Sequence, residues 1–378
     1  MRSDHRRRIG LIVNPIAGMG GSVGLKGTDG PEILAEARRR GAVPVARQRT
    51  ERALAKLSDL RHRFDLIAAA GAMGQHPARA AGFAPHVLEA DADASGPEHT
   101  RAAARAMAGQ GCELILFAGG DGTARDVHQG CGGSVPMLGI PTGVKMHSGV
   151  FALSPEAAGM LAALVVEDGE RRINFRSSEI MDVDESAVRA GRPAARLYGY
   201  VSVPCERGLV QTAKAGAPPE DDEAIDAAGR EIAGSMQSGI GYVIGPGRSA
   251  KAVVAALGLE SPLLGVDLVL DRKLVGSDLG EAELLRLAAA LPVSIIVGVT
   301  GGQGFIFGRG NQPISPALIR QAGRDGLIVL AGPRKLAGLA QRRLLLDTGD
   351  RALDHLLQGY LRVVTGAGRQ AVMRAAAA

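Results

Sequence analysis

Apolar residues in the first 165 or so positions fall into short runs, with glycine at nearly every boundary and stretches of helical periodicity between them. Positions 8–13, 42–46, 66–70, 87–88 and 113–118 read as strands. Positions 31–40, 51–60 and 99–108 read as helices, and a helix opens again at 122–128. Short strands alternating with helices of about ten residues imply crossover units on a mostly parallel sheet. From about position 170 the pattern changes. Segments 171–183 and 195–203 are longer and partly alternating, which suits antiparallel pairing, and 215–222 is a loop leading into a short helix that ends near Met236. Strands at 241–244, 265–270, 293–299 and 327–330 then mix with helices at 250–256 and 281–290. Positions 363–364 and a last helix at 371–377 close the chain. The expected organisation is an α/β domain over 1–169 that binds nucleotide and phosphate, a second, mixed α/β substrate domain over 170–345, and a segment 346–378 packing back on the first domain.

Composition narrows the class. A length of 378 residues favours two domains, and 46% hydrophobic residues suffice for real cores. Glycine, at 53 residues, is about twice its usual frequency, and it sits at the ends of apolar runs where the backbone must turn or approach a ligand. Aromatics make up 3% and tryptophan is absent, which argues against a stacking platform for single-stranded nucleic acid. The net charge of +5 suits anionic small molecules, and the four arginines of the first eight residues read as a solvated terminus. Three widely spaced cysteines form no disulfide framework, which favours a reducing compartment. The first apolar run, 9–13, is broken by Asn14 and Pro15, too short for a leader or a span. The expectation is a cytoplasmic protein with no membrane and no nucleic-acid partner.

The strand at 113–118 delivers Gly119-Gly120-Asp121-Gly122-Thr123 at its C-terminal end, where open sheets bind ligands. Two glycines allow a sharp turn that presents N–H groups to phosphate, and the helix N-terminus that follows favours anions. Asp121 is a candidate to take the proton of a substrate hydroxyl, to hold a ribose or to position Mg²⁺; a simple capping aspartate is the alternative. Thr123 offers a hydroxyl, and Arg125 a charge for phosphate. The loop 14–21 repeats the logic with Asn14, Gly18 and Gly20, but lacks the Gly-Lys-Ser/Thr of a P-loop. Gly71 and Gly74 close a third strand, and segment 140–148 carries Lys145, a mobile charge, with His147 and Ser148 beside a turn. In the second domain Gly302, Arg309 and Asn311, with Gln303 and Gln312, read as a binding rim, and 245–249, ahead of a helix, is a possible anion nest. Asp182, Asp184, Glu185, Asp267 and Asp271 are acidic pairs open to metal binding or to simple solvation, so no metal ligand is assigned. No nucleophile triad and no zinc cluster can be assembled. Phosphoryl transfer, which needs positioning, cations and an oriented hydroxyl, fits such residues.

Gly119–Thr123 together with the Asn14-Pro15 loop resembles the superfamily of NAD kinases, diacylglycerol kinases and 6-phosphofructokinases. The longer string 119–126, the run 140–148, the run 302–312 and Asp347-Thr348-Gly349-Asp350 resemble ATP-NAD kinase family proteins, of the branch often found beside acetoin-catabolism genes. The resemblance spans almost the whole chain. It implies an NAD kinase-like fold with a Rossmann-like, mostly parallel N-terminal sheet, and a kinase using ATP and Mg²⁺. In that family the aspartate matching Asp121 is implicated in phosphoryl transfer to the ribose 2′-hydroxyl of NAD, giving NADP. Homo-oligomers are common in the superfamily and are expected here. Typical NAD kinases also carry an Asn-Glu dipeptide that grips NAD, and none occurs in this chain. The acceptor therefore stays open between NAD, another nucleotide and a small-metabolite hydroxyl, with a non-catalytic nucleotide-binding regulator as the reading from another class.

Overall fold

The computed structural model describes residues 6–25, 31–92, 95–143, 146–167, 173–183, 195–206, 209–210, 221–339 and 341–378, and the strands among them gather into three sheets. The first comprises β1 (Arg7–Val13), β2 (Phe64–Ala68), β3 (His86–Val87), β4 (Leu114–Gly119) and β5 (Met137–Pro141). Its order is β3-β2-β1-β4-β5, with every neighbouring pair parallel. Its central strands are nearly continuous apolar runs because both faces are covered, and all six residues of β4 are buried. The chain steps outward from β1 to β2 and β3, then crosses to β4 and β5 on the other side. The sheet therefore has its switch point between β1 and β4, the position where open α/β sheets leave a crevice at the carboxyl ends of the strands.

A two-stranded antiparallel ribbon follows, β6 (Asn174–Val183) and β7 (Ala195–Cys205), with its register broken between Ile180 and Met181. The third sheet is mixed and has eight strands. They are β8 (Gly241–Ile244), β9 (Asp267–Leu270), β10 (Lys273–Gly276), β11 (Val293–Gly298), β12 (Leu327–Leu330), β13 (Leu344–Leu346), β14 (Gly359–Gly366) and β15 (Arg369–Ala377), in the order β10-β9-β8-β11-β12-β14-β15-β13. The chain is thus α/β throughout, with a mostly parallel first sheet and a mixed second domain.

Four sequence expectations are corrected. Positions 42–46 form no strand: they lead into the helix Ala46–Leu54, and Val43 lies exposed beside Pro44. Positions 371–377 are not helical but lie in β15, where Val363 pairs with Ala371 and Tyr360 with Arg374. Segment 346–378, expected to return to the first domain, supplies β14 and β15 to the second sheet. The compact units are Met1–Gly18 with Val43–Ala213, and Met19–Ala42 with Lys214–Ala378. The β6–β7 ribbon therefore belongs with the first sheet, and a piece near the N-terminus belongs with the second.

Close backbone packing and buried polar pairs hold each unit. In the first, a Cβ on Gly159 would lie 2.1 Å from the Ala53 carbonyl, so the helix Pro155–Glu167 crosses Ala46–Leu54 at a distance only glycine permits. Arg52 donates to both carboxylate oxygens of Glu156, at 2.9 and 3.0 Å, beside that crossing. In the second, the Asp221 carboxylate accepts the N–H groups of Arg334 and Lys335 and so caps the helix Pro333–Ala337 from a distant part of the chain. Lys251 pairs with the fully buried Asp267, which also accepts the Ser277 hydroxyl and the Asp278 N–H, both at 3.1 Å. Removing one member of a buried pair leaves an uncompensated charge. Lys251→Met is expected to destabilise the protein by about 3–5 kcal/mol, read as a lower urea midpoint in equilibrium unfolding.

Candidate functional site

The switch-point crevice lies between the loop after β1 and the loop after β4, and side chains join the two. Asn14 extends the β1–β4 ladder through its N–H to the Ala118 carbonyl at 2.9 Å. Its side-chain nitrogen donates to Thr123 Oγ1 at 3.1 Å, while its Oδ1 accepts the Ile16 N–H at 3.2 Å. The β5 loop joins the same knot: the Thr142 and Gly143 N–H groups both donate to the Gly119 carbonyl. Thr142 Oγ1 is buried there with no hydrogen-bond partner among the described residues.

Most glycines read as ligand room turn out to permit loop-on-loop packing. Gly18 has φ +82°, and a Cβ on it would lie 2.2 Å from the Thr142 carbonyl oxygen. Gly71, with φ +56°, meets the Ala92 carbonyl in the same way, its N–H being held by the Gln75 side chain, and Gly74 faces the Leu11 carbonyl. A Cβ on Gly119 would strike the Thr123 side chain at 2.3 Å. Gly122 differs. A Cβ there, in the first turn of the helix Asp121–Cys131, would meet only the tip of Arg125 among the described residues, at 4.0 Å. Gly120 precedes that helix in extended conformation, and Gly132 ends it with φ +62°.

Asp121 is 3% exposed, and its carboxylate organises the β5 loop. Oδ2 accepts the His147 backbone N–H at 2.7 Å and contacts His147 Nδ1 at 2.9 Å; Oδ1 accepts the Ser148 N–H at 3.0 Å. The Ser148 hydroxyl has one proton and lies between Asp121 Oδ1 at 2.7 Å and the Met181 carbonyl at 2.9 Å, while accepting the Met181 N–H at 3.0 Å. Met181 sits at the register break of β6, so the irregular strand edge is matched to a loop side chain. His147 keeps 21% of its side chain exposed.

Further along this helix, Arg125 donates to Asp182 of β6 at 2.7 Å and lies near the Tyr198 ring. Burial works against its charge, but Asp126 and Asp182 outweigh that and hold the guanidinium above its ordinary value. Burial pushes the Asp126 carboxyl up despite Arg125 and Arg101, the latter at 2.8 Å. Burial likewise pushes His128 down, toward the neutral imidazole, where it fits against Gly199 of β7.

Of the other residues expected in the site, Lys145 lies outside the described residues, as do Asp184 and Glu185. Gly20, Gly302, Arg309 and Asn311 belong to the second unit. There Arg309 is a buried partner of Asp347 at 2.7 Å, with its guanidinium carbon 4.0 Å from the centre of the Phe305 ring. Asn311 closes its own loop, accepting the Gly308 N–H and donating to the Ile306 carbonyl. Gly302 and Gly304 both adopt positive φ in the turn between β11 and Phe305. Gly20 accepts the Leu25 N–H through its carbonyl. Asp271 accepts from Ser238 and Gly239 at a turn, and among the described residues no three His, Cys, Asp or Glu side chains cluster as a metal site. Ser148 and Thr142 are the site members that sequence reasoning under-weighted; the only signal for them was their place in a polar run at a strand end.

Gly119 and Gly122 separate close packing from an open backbone position. Gly119→Ala is expected to lower the melting temperature by several degrees, since overpacking costs about 1–3 kcal/mol. Gly122→Ala is expected to leave it unchanged or higher, alanine being about 1 kcal/mol better than glycine in a helix. Differential scanning fluorimetry of both variants checks this.

No curated protein and no solved structure matches the chain significantly. Among the described residues, no helix is long and apolar enough to cross a membrane. Two family models do match. The ATP-NAD kinase N-terminal domain covers residues 9–170, which holds the first sheet with the Asn14 and Gly119–Thr123 loops. The ATP-NAD kinase C-terminal domain covers 239–375, which spans the eight-stranded sheet. With both domains in order over most of its length, and the sheet order and crevice described above, the chain belongs to the ATP-NAD kinase family.

Proposed function

We propose that this protein is an NAD kinase-like phosphotransferase that moves the γ-phosphoryl group of ATP to the ribose 2′-hydroxyl of NAD, giving NADP. The observation that carries the reading is the switch-point crevice, where Gly122 stays open at the first turn of an eleven-residue helix directly beside Asp121. A helix N-terminus suits a polyphosphate. The residues present fit ATP in this respect. Mg²⁺ in phosphotransfer sites is held largely by the phosphates with one or two carboxylates, so it would enter with the nucleotide and neutralise charge on the transferring group. Family membership supports kinase chemistry. A cytoplasmic location, nucleotide substrates as the partners and a homo-oligomeric state go with this reading.

A second acceptor, another nucleotide or a small-metabolite hydroxyl, is favoured by one specific observation: the three asparagines are followed by proline, phenylalanine and glutamine, so no Asn-Glu dipeptide is present. Purified protein with ATP, Mg²⁺ and NAD is expected to form NADP, followed by mass spectrometry, and Asp121→Asn is expected to lower the rate by about 10²-fold or more. Phosphorylation of another member of a nucleotide and metabolite panel, with NAD untouched, would select the second acceptor. Nucleotide binding without transfer to any of them would replace the kinase reading by a regulator.

A further inference from the structure

We infer that His147, held by Asp121, is the group that takes the proton from the acceptor hydroxyl, and that Asp121 is its positioning residue. This rests on the kinase reading and names the residue that performs its proton transfer. The case begins with the saturation of Asp121. Both of its oxygens are occupied by the His147 and Ser148 groups, and 3% of the residue is exposed, so its carboxylate has little free capacity for a substrate hydroxyl. What it does instead is fix an imidazole. A carboxylate oxygen surrounded by N–H donors is an acceptor, so Nδ1 of His147 carries a proton, and the tautomer this selects for a neutral ring leaves Nε2 bare. Among the described residues Nε2 has no hydrogen-bond partner, and the ring is partly open to solvent.

The surroundings are built to keep that ring still. The backbone N–H of the same histidine is tied to the same Oδ2, so ring and main chain are clamped by one atom. The next residue, Ser148, is fully buried and anchored both to Oδ1 and to the β6 edge at Met181. A base oriented by a third group is the arrangement general-base catalysis needs. Gly122, the open position, lies next to Asp121 in the chain, which places the clamped imidazole by the same helix terminus that faces the polyphosphate.

The step balances as follows. The acceptor O–H proton passes to His147 Nε2 as the acceptor oxygen bonds to the γ-phosphorus. The bond from that phosphorus to the β–γ bridging oxygen breaks and ADP leaves. The imidazolium then returns its proton to solvent.

The test uses the full-length protein. His147→Ala is expected to lower kcat by about 10²–10⁴-fold, leave the KM for ATP within about threefold, and regain at least about tenfold when imidazole is added to the assay. Asp121→Asn is expected to lose activity without imidazole rescue. Nitrogen-15 NMR of the imidazole reads the tautomer without turnover: Nδ1 protonated in the wild type, and a mixture of tautomers in Asp121→Asn. A His147→Ala variant as active as wild type, or an inactive one that imidazole does not rescue, would overturn the assignment while leaving the kinase reading standing. So would a wild-type ring protonated at Nε2 in its neutral form. A wild-type protein that transfers phosphate to no acceptor would overturn the kinase reading and this assignment together.

Discussion

The binding end of the first unit depends on how one buried carboxylate is satisfied. Asp121 leaves water at the first turn of a helix, where its charge is favoured by the dipole, and it meets a turn whose two successive N–H groups need acceptors. Each solves the other's desolvation. The Ser148 hydroxyl carries the link onward to the break in β6, so helix, β5 loop and ribbon share one polar network. The ribbon lies outside the segments matched by the two family models, yet its Met181 and Asp182 hold the loop and helix that carry Asp121. Such networks are stiff when every member is satisfied. That stiffness is what a site for in-line transfer requires, because little but positioning separates a productive pose from an idle one.

The glycines give a second lesson about the same region. Gly18, Gly71, Gly74 and Gly119 face backbone or side-chain atoms so closely that a methyl group would collide. Gly18 and Gly71 let one loop lie on another, Gly74 lies on strand β1, and Gly119 lies on the Thr123 side chain. Gly122 is the exception, since a Cβ there would meet only the tip of Arg125 among the described residues. Glycine content alone marks where backbone comes close to something; it does not say whether that something is a phosphate or another loop.

How much was legible in the sequence follows the same physics. The central strands of the first sheet were readable because strands buried on both faces are unbroken apolar runs ending in glycine. β5 was not, because its five residues include Gly139, where a Cβ would strike the Phe151 ring, and Pro141, which disguise a buried strand. The alanine-rich end of the chain has high intrinsic helix propensity, but the tight turn at 366–368 folds it back on β14, and pairing overrides propensity. Asn14 and Thr123, each placed by the sequence at a strand end, are joined by a hydrogen bond at the switch point, with Asp121 in the same loop as Thr123. Their partners were harder to see. Nothing in the spacing of Arg125, Arg309 or Asn311 distinguishes a phosphate ligand from a buried internal partner, and burial against Asp182, Asp347 or a local carbonyl is a tertiary fact.

The passage of the chain through its two units has one more implication. Residues 19–42 lie between the first two strands of the parallel sheet in sequence, yet they cluster with the C-terminal half, where Val23 and Gly24 touch the turn at Leu279 and Gly280. The C-terminal unit is therefore not a contiguous stretch of polypeptide. In synthesis its first piece, Met19–Ala42, precedes the rest by the whole of Val43–Ala213. A gene cut at any single point between the family domains would strand that piece with the wrong half. Keeping both units whole means respecting three chain crossings rather than one.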